Sequence, residues 1–217
     1  MAESTAAAGI PETSAAGPAD AREGRTTIGP ADASSAVDFL MMIQPLKTLK
    51  RTGWVKRGVQ GPESIGDHMH RMAMMAFVLA DVRGIDRERC VKMAIVHDVA
   101  EAIAGDITPS CGVDKDEKYR LEKEALGKMC DALGPNNRAA GEMLALWEEY
   151  EANESSEARL VKDFDKLEMI LQAHEYEQAQ GMELQEFFDS TKDRWQTDVG
   201  RLVAADIVAR RSKGGRS

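Results

Sequence analysis

Positive charge, aromatic rings, cysteines and long apolar runs are all scarce in this chain, and each scarcity removes a class of protein. Its 217 residues carry 28 Lys and Arg against 37 Asp and Glu, a formal charge of -9. Such a balance gives no general attraction to nucleic acid or to an anionic membrane. It would also repel a phosphate ester, so phosphate chemistry here calls for a bound cation or local arginines. The three cysteines, Cys90, Cys111 and Cys130, show no metal-type pairing, and their odd number does not suggest a disulfide framework. A reducing, cytoplasmic setting is the expectation. Cys90 lies among apolar residues of an expected helix and reads as a small buried hydrophobe. No apolar run approaches the roughly 20 residues that span a bilayer. A secretory signal, with its basic start and apolar stretch, is not evident.

What the chain does have is helix-forming apolar side chains. Hydrophobic residues make up 43%, with 12 Met and only 5% aromatics. Such a core favours helices, because Ala, Leu and Met lose little rotamer freedom in them. The length fits one large domain with tails. Residues 1–34 are rich in Ala, Gly, Ser, Thr and Pro without apolar periodicity, and are expected to be a disordered tail. Glu3, Glu12, Asp20 and Glu23 argue against an organelle-targeting peptide.

From about Ala36 the spacing is helical, through Val37, Leu40 and Met41. The glycine-containing segment 51–58 is expected to end that helical run, and Gly61-Pro62 to turn the chain. Ser64 is positioned to cap a helix reaching about Val82. Asp86 can cap another, running through Met93 and Val96 to about Ala104, where Gly105 stops it. Further helices are expected over residues 114–133, 137–151, about 156–180 and part of 191–210. No segment shows sustained strand alternation. The expectation is a single all-α domain over residues 35–211 with a flexible end at 212–217.

Three patches carry chemistry. The first is His97-Asp98-Val-Ala-Glu101, followed by Gly105-Asp106. His97, Asp98 and Glu101 share one side of a helix. Adjacent His97 and Asp98 diverge by about 100°, yet they can converge on one ion at a helix end. The apolar neighbours Ala94, Ile95, Val96, Val99 and Ile103 would bury this segment. A buried charged cluster is costly unless paired or metal-bound. An imidazole and carboxylate set suits Mn, Fe, Co or Zn. The second patch holds His68 and His70, which point to different faces. Both faces continue into apolar residues, so periodicity does not choose between them. The third holds Asp163 and Asp165, which flank the stripe of Leu160, Phe164 and Leu167 about equally, and helix geometry leaves that choice open as well.

In this order the patches resemble the HD-domain superfamily, and within it the 5'-deoxynucleotidases of the HD domain-containing protein 2 type. Residues 49–55 (Leu-Lys-Arg-Thr-Gly-Trp-Val), 62–69 (Pro-Glu-Ser-Ile-Gly-Asp-His-Met), 96–101 (Val-His-Asp-Val-Ala-Glu) and 105–109 (Gly-Asp-Ile-Thr-Pro) carry the likeness. The resemblance extends from Phe39 to about Thr191 and implies an HD-domain helical bundle. It implies a first-ion ligand set of His68, His97, Asp98 and Asp165, and leaves His70 and Asp163 as non-ligands. Glu101 and Asp106 match the family's catalytic acids. With the Ile107 carbonyl they are also the implied ligands of a second, harder ion such as Mg or Ca. Arg51, Trp54 and Arg57 fall in the implied substrate-facing segment. The implied reaction releases phosphate from deoxyribonucleoside 5'-monophosphates, and the implied assembly is a homodimer. Rival expectations are another HD phosphohydrolase, acting on a nucleoside triphosphate, cyclic nucleotide or alarmone, and a catalytically silent, metal-stabilised binding module.

Overall fold

The computed structural model describes residues 28–135 and 137–214. Among the described residues there are ten α-helices and no strand beyond an isolated antiparallel bridge between Lys50 and Ser64. No described helix is long and apolar enough to cross a membrane.

Helix α1 (Pro30–Met42) begins inside the stretch expected to be a tail. Proline at the first helical turn needs no donor and has its φ preset. Asp32 then accepts the Gly29 amide at 3.0 Å, which satisfies one of the free N–H groups at the helix start. The disordered tail expected over residues 1–27 lies outside the described residues. After a 3-10 turn (Gln44–Lys47), the segment expected to be non-helical contains a short helix, α2 (Thr52–Lys56). Its start is tied down from a distance: the Thr52 amide donates to Asp106 Oδ2 at 2.6 Å. Gly58 ends it, with φ +73°.

Helix α3 (Ile65–Leu79) starts where Ser64 and Asp67 cap each other's backbone amides. Helix α4 (Arg87–Val96) is shorter than the periodicity suggested. Beyond it the hydrogen bonds tighten to three-residue spacing, Val99 to Val96 and Glu101 to Asp98, before α5 (Glu101–Ala104). One expected helix is therefore two, separated by a tight turn holding His97 and Asp98. Helices α6 (Lys115–Leu133), α7 (Arg138–Ala152) and α8 (Ser156–Gln180) fall close to their expected bounds. The helix expected over part of 191–210 is α10 (Asp198–Gly214), and a short helix before it, α9 (Gln185–Thr191), was not expected. Helix α10 also takes residues 212–214 from the expected flexible end, and residues 215–217 lie outside the described residues.

Helix α8 is the axis of the bundle and packs against α3, α4, α7, α9 and α10. One apolar cluster surrounds it, including Met72, Phe164, Leu167, Ile170 and Leu184. A second, with Ile65, Leu126, Met129 and Trp147, joins α3 to α6 and α7. Cys90 is fully buried in the first cluster.

The fully buried Asp163 fastens α8 to the start of α10. It accepts from the amides of Gln196 (3.0 Å) and Thr197 (2.8 Å) and from the Thr197 hydroxyl (2.8 Å), and pairs with Lys166 at 3.0 Å. Gly200 lies so close that a Cβ there would overlap the Asp163 carboxylate. Gly200→Ala is expected to destabilise the fold by about 1–3 kcal/mol, the usual range for overpacking. That outweighs the roughly 1 kcal/mol that alanine gains in a helix. Gly127→Ala, on α6 with open space at the same position, is expected to be neutral or stabilising. Urea denaturation of the two variants measures the contrast.

Candidate active site

The cap at Ser64 sets the phase of α3, and the phase decides between the two histidines. His68 is fully buried on the side of Met72, whereas His70 is exposed. His97 and Asp98 enter from the turn after α4. Asp165 comes from α8, and Arg51 from the link before α2, which the Lys50–Ser64 bridge holds against the start of α3. The structure thus brings His68, His97, Asp98, Asp165 and Arg51 to one point.

His68 Nε2 is 3.4 Å from Asp165 Oδ1 and 3.8 Å from Asp98 Oδ2, and His97 Nε2 is 3.1 Å from Asp98 Oδ2. Both Nε2 atoms are buried and without a hydrogen-bond partner among the described residues. Buried polar atoms are rarely left so. The ligand atoms of His68, His97 and Asp165 all lie within 4.8 Å of one another. Imidazole nitrogens and carboxylate oxygens converging with lone pairs inward are the donor set of a divalent ion, and these residues fit one.

Three of the donors, His97, His68 and Asp165, are held from behind. His97 Nδ1 lies 3.0 Å from the Ala94 carbonyl and His68 Nδ1 lies 2.6 Å from Glu168 Oε2. The Tyr150 hydroxyl donates to Asp165 Oδ2 at 3.0 Å, and Lys162 sits 3.7 Å above the Tyr150 ring. Burial and Arg51 disfavour a charged His68, but Asp165 and Glu168 outweigh both and lift its pKa to about 9. Burial alone would raise Asp98 and Asp165. The neighbouring histidines and Arg51 instead hold both carboxyls below the usual range.

Arg51 donates to Asp98 at 3.2 Å and stands 3.7 Å from Asp165. Glu101, nearly fully buried, has an Oε2 with no partner among the described residues. Burial, and then the charges of Asp98 and Asp106, push its pKa well above the ordinary carboxylate value. Asp106 is partly committed to the Thr52 amide, and Ile107 is half-buried beside it.

The centre opens into a cleft of about 700 Å³ lined by Arg51, Lys56, Arg57, Asp106, Asp165, Met169, Phe187 and Arg194, among others. Arg57 is ion-paired there with Glu186. Trp54 is placed otherwise. It is 2% exposed, its indole donates to Glu63 at 2.8 Å, and it does not line the cleft. It packs on Phe187, with ring centroids 4.3 Å apart, and Phe187 does line it. Phe187, Tyr150 and Glu168 were not singled out from the sequence as site residues. The three-residue step from Asp165 to Glu168 was the available signal for the last of them.

A family model described as an HD domain matches residues 43–203. The chain belongs to the HD-domain family. It is 48% identical over 161 residues to the 5'-deoxynucleotidase HDDC2 of Danio rerio, covering 73% of this chain and 79% of that protein. It is 45% identical over 182 residues to the Homo sapiens protein of the same name, covering 83% and 88%. Among solved structures it is similar to the PH0347 protein of Pyrococcus horikoshii OT3, with a TM-score of 0.66 and 38% identity, covering 82% of this chain and 99% of that one.

The two histidines of the second patch can be separated by measurement. His97→Ala and His68→Ala are each expected to lower divalent-metal affinity by at least about tenfold, since even the outer partners of a ligand are worth 10–100-fold. His70→Ala is expected to leave it unchanged. Metal content by mass spectrometry, followed by titration of the stripped proteins, reads the difference.

Proposed function

We propose that this HD domain is a metal-dependent phosphomonoesterase that hydrolyses deoxyribonucleoside 5'-monophosphates to deoxynucleoside and phosphate. The observation that carries the reading is the pair of buried, unpartnered imidazole nitrogens facing Asp98 and Asp165, beside a cleft that Asp165 and Arg51 line. The printed names of the Danio rerio and Homo sapiens relatives supply the substrate class.

His68, His97, Asp98 and Asp165 hold the first ion, for which Co, Mn, Fe and Zn suit the mixed donors. When bound, such an ion supplies a water of lowered pKa and shields the charge of the phosphate. Glu101, Asp106 and the Ile107 carbonyl offer only oxygens, a set suited to Mg or Ca at a second position. Arg51 presents a planar fork to the phosphate oxygens, a geometry that lysine lacks. Its charge is secured by Asp98 and Asp165, which keep it protonated despite burial. Burial and the charges of Asp98 and Asp106 favour the protonated form of Glu101, so with the second position empty its free Oε2 can pass a proton to the leaving 5'-oxygen. Asp106, braced by the Thr52 amide, orients the attacking water or the sugar. Met169 and Phe187 give the nucleoside an apolar wall, and Trp54 acts through Phe187. Arg57, held by Glu186, faces the outer part of the cleft.

A homodimer is part of the proposal. Met74, Phe77 and Val78 expose an apolar face along α3 that a second copy would cover. A cytoplasmic setting accords with Cys90, Cys111 and Cys130, all of which are free thiols.

Phosphate release is the test, with deoxynucleoside monophosphates, ribonucleoside monophosphates and deoxynucleoside triphosphates each run with Co, Mn, Mg or EDTA. Release from the deoxy monophosphates, abolished by EDTA, is the expected result. Release from the triphosphates alone would point to a different HD phosphohydrolase, and no release from a metal-loaded protein would leave a binding module. In the same assay Glu101→Ala should keep the first metal and lose turnover by about 10²-fold or more, the usual worth of a positioned acid or base.

A further inference from the structure

Glu168 is a fully buried carboxylate on the face of α8 that packs against α3. An isolated charge in such a place is very costly, and interior carboxylates persist only where they are paired and fully hydrogen-bonded. The two oxygens of Glu168 divide that requirement. Oε1 accepts two bonds from Arg71, from Nε at 2.9 Å and from a terminal nitrogen at 2.7 Å. Oε2 faces His68 Nδ1 at 2.6 Å. Arg71 is fixed in turn by Glu175 at 2.8 Å and by Gln172.

A carboxylate can only accept. Beside it, His68 Nδ1 is the nitrogen that keeps a proton, so in the neutral ring that a metal requires Nε2 is the one with the lone pair. Nε2 is also the atom that faces Asp98 and Asp165 without a hydrogen bond. The other histidine is treated differently, because its Nδ1 meets only the neutral Ala94 carbonyl. A carboxylate behind an imidazole raises its basicity as well as fixing its orientation.

We infer that Glu168, anchored by Arg71, is a positioning residue for the metal centre: it fixes His68 in the Nδ1–H tautomer and makes Nε2 a stronger donor than that of His97. The inference rests on His68 being a metal ligand. It assigns α3 and α8 a shared task, since the ligand and its backing group come from different helices.

Two readouts independent of turnover test it. The first is ¹⁵N NMR of the histidine rings in the zinc-loaded parent protein, where His68 should carry its proton on Nδ1. A proton on Nε2 would overturn the inference, and this measurement needs no variant. The second is manganese affinity, read from the free-ion EPR signal, for the parent, Glu168→Met and Glu168→Gln. Glu168→Met should weaken binding by roughly 10–100-fold. Glu168→Gln should recover most of that loss, because its amide oxygen can still accept from Nδ1. Unchanged affinity in Glu168→Met overturns the inference, as does equal loss in both variants accompanied by an equal fall in Tm of the stripped proteins. A parent protein that binds neither zinc nor manganese overturns the metal site itself, an outcome distinct from either of those. If Glu168→Met does not fold, the parent NMR and Glu168→Gln decide.

Discussion

Asp98 and Asp165 stand half-buried between the helices of the bundle, Asp165 on the wall of the cleft, with Arg51, His68 and His97 as their counter-groups, and the architecture keeps those groups together. Attraction between opposite charges strengthens as water is excluded, but so does the penalty for any charge left alone. Separating the helices by even one side chain would strand a carboxylate. Helix α8, the turn after α4, the start of α3 and the link before α2 therefore depend on one another at this point. The apolar clusters on either side supply most of the burial. The charged centre determines which register of the helices is acceptable.

The same balance reconciles an acidic chain with an anionic substrate. The overall charge is negative, yet Arg51, Lys56, Arg57 and Arg194 all line the cleft. Screening in salt limits the reach of the distant acids to about 8–10 Å. A phosphate entering the cleft meets the local cations rather than the average of the surface.

Much of the bundle was legible in the sequence, because capping residues and apolar spacing act over a few residues. Ser64, Asp86, Asp114 and Ser155 each cap the helix that follows them. His97-Asp98 was legible for a related reason, being a charged pair in an apolar segment. The choices between His68 and His70, and between Asp163 and Asp165, were not legible from periodicity. Residues two apart on a helix flank the same stripe on opposite sides, and only a distant partner separates them. For Asp163 that partner is the backbone of Gln196 and Thr197, more than thirty positions along the chain. The resemblance to the HD-domain family selected His68 and Asp165, and the structure shows what occupies the alternatives. Helix α9 was missed because seven residues carry little periodic signal. The break after Val96 was missed because shortened hydrogen-bond spacing leaves no mark on the apolar pattern.

The grip of Asp163 on the start of α10 has a consequence for how the chain tolerates cutting and joining. Asp163 stands two positions from Asp165 on the same helix and is satisfied largely by groups near the carboxyl-terminal end of the described chain. Removing the chain from Gln196 onward would leave a buried carboxylate with Lys166 as its remaining partner, one turn of helix from the catalytic centre. At the other end of the helix Ser212 and Lys213 are exposed. The two ends of α10 are thus unequal as sites for protein engineering: its exposed far end can accept a fusion, whereas its first turn belongs functionally to the centre of the molecule.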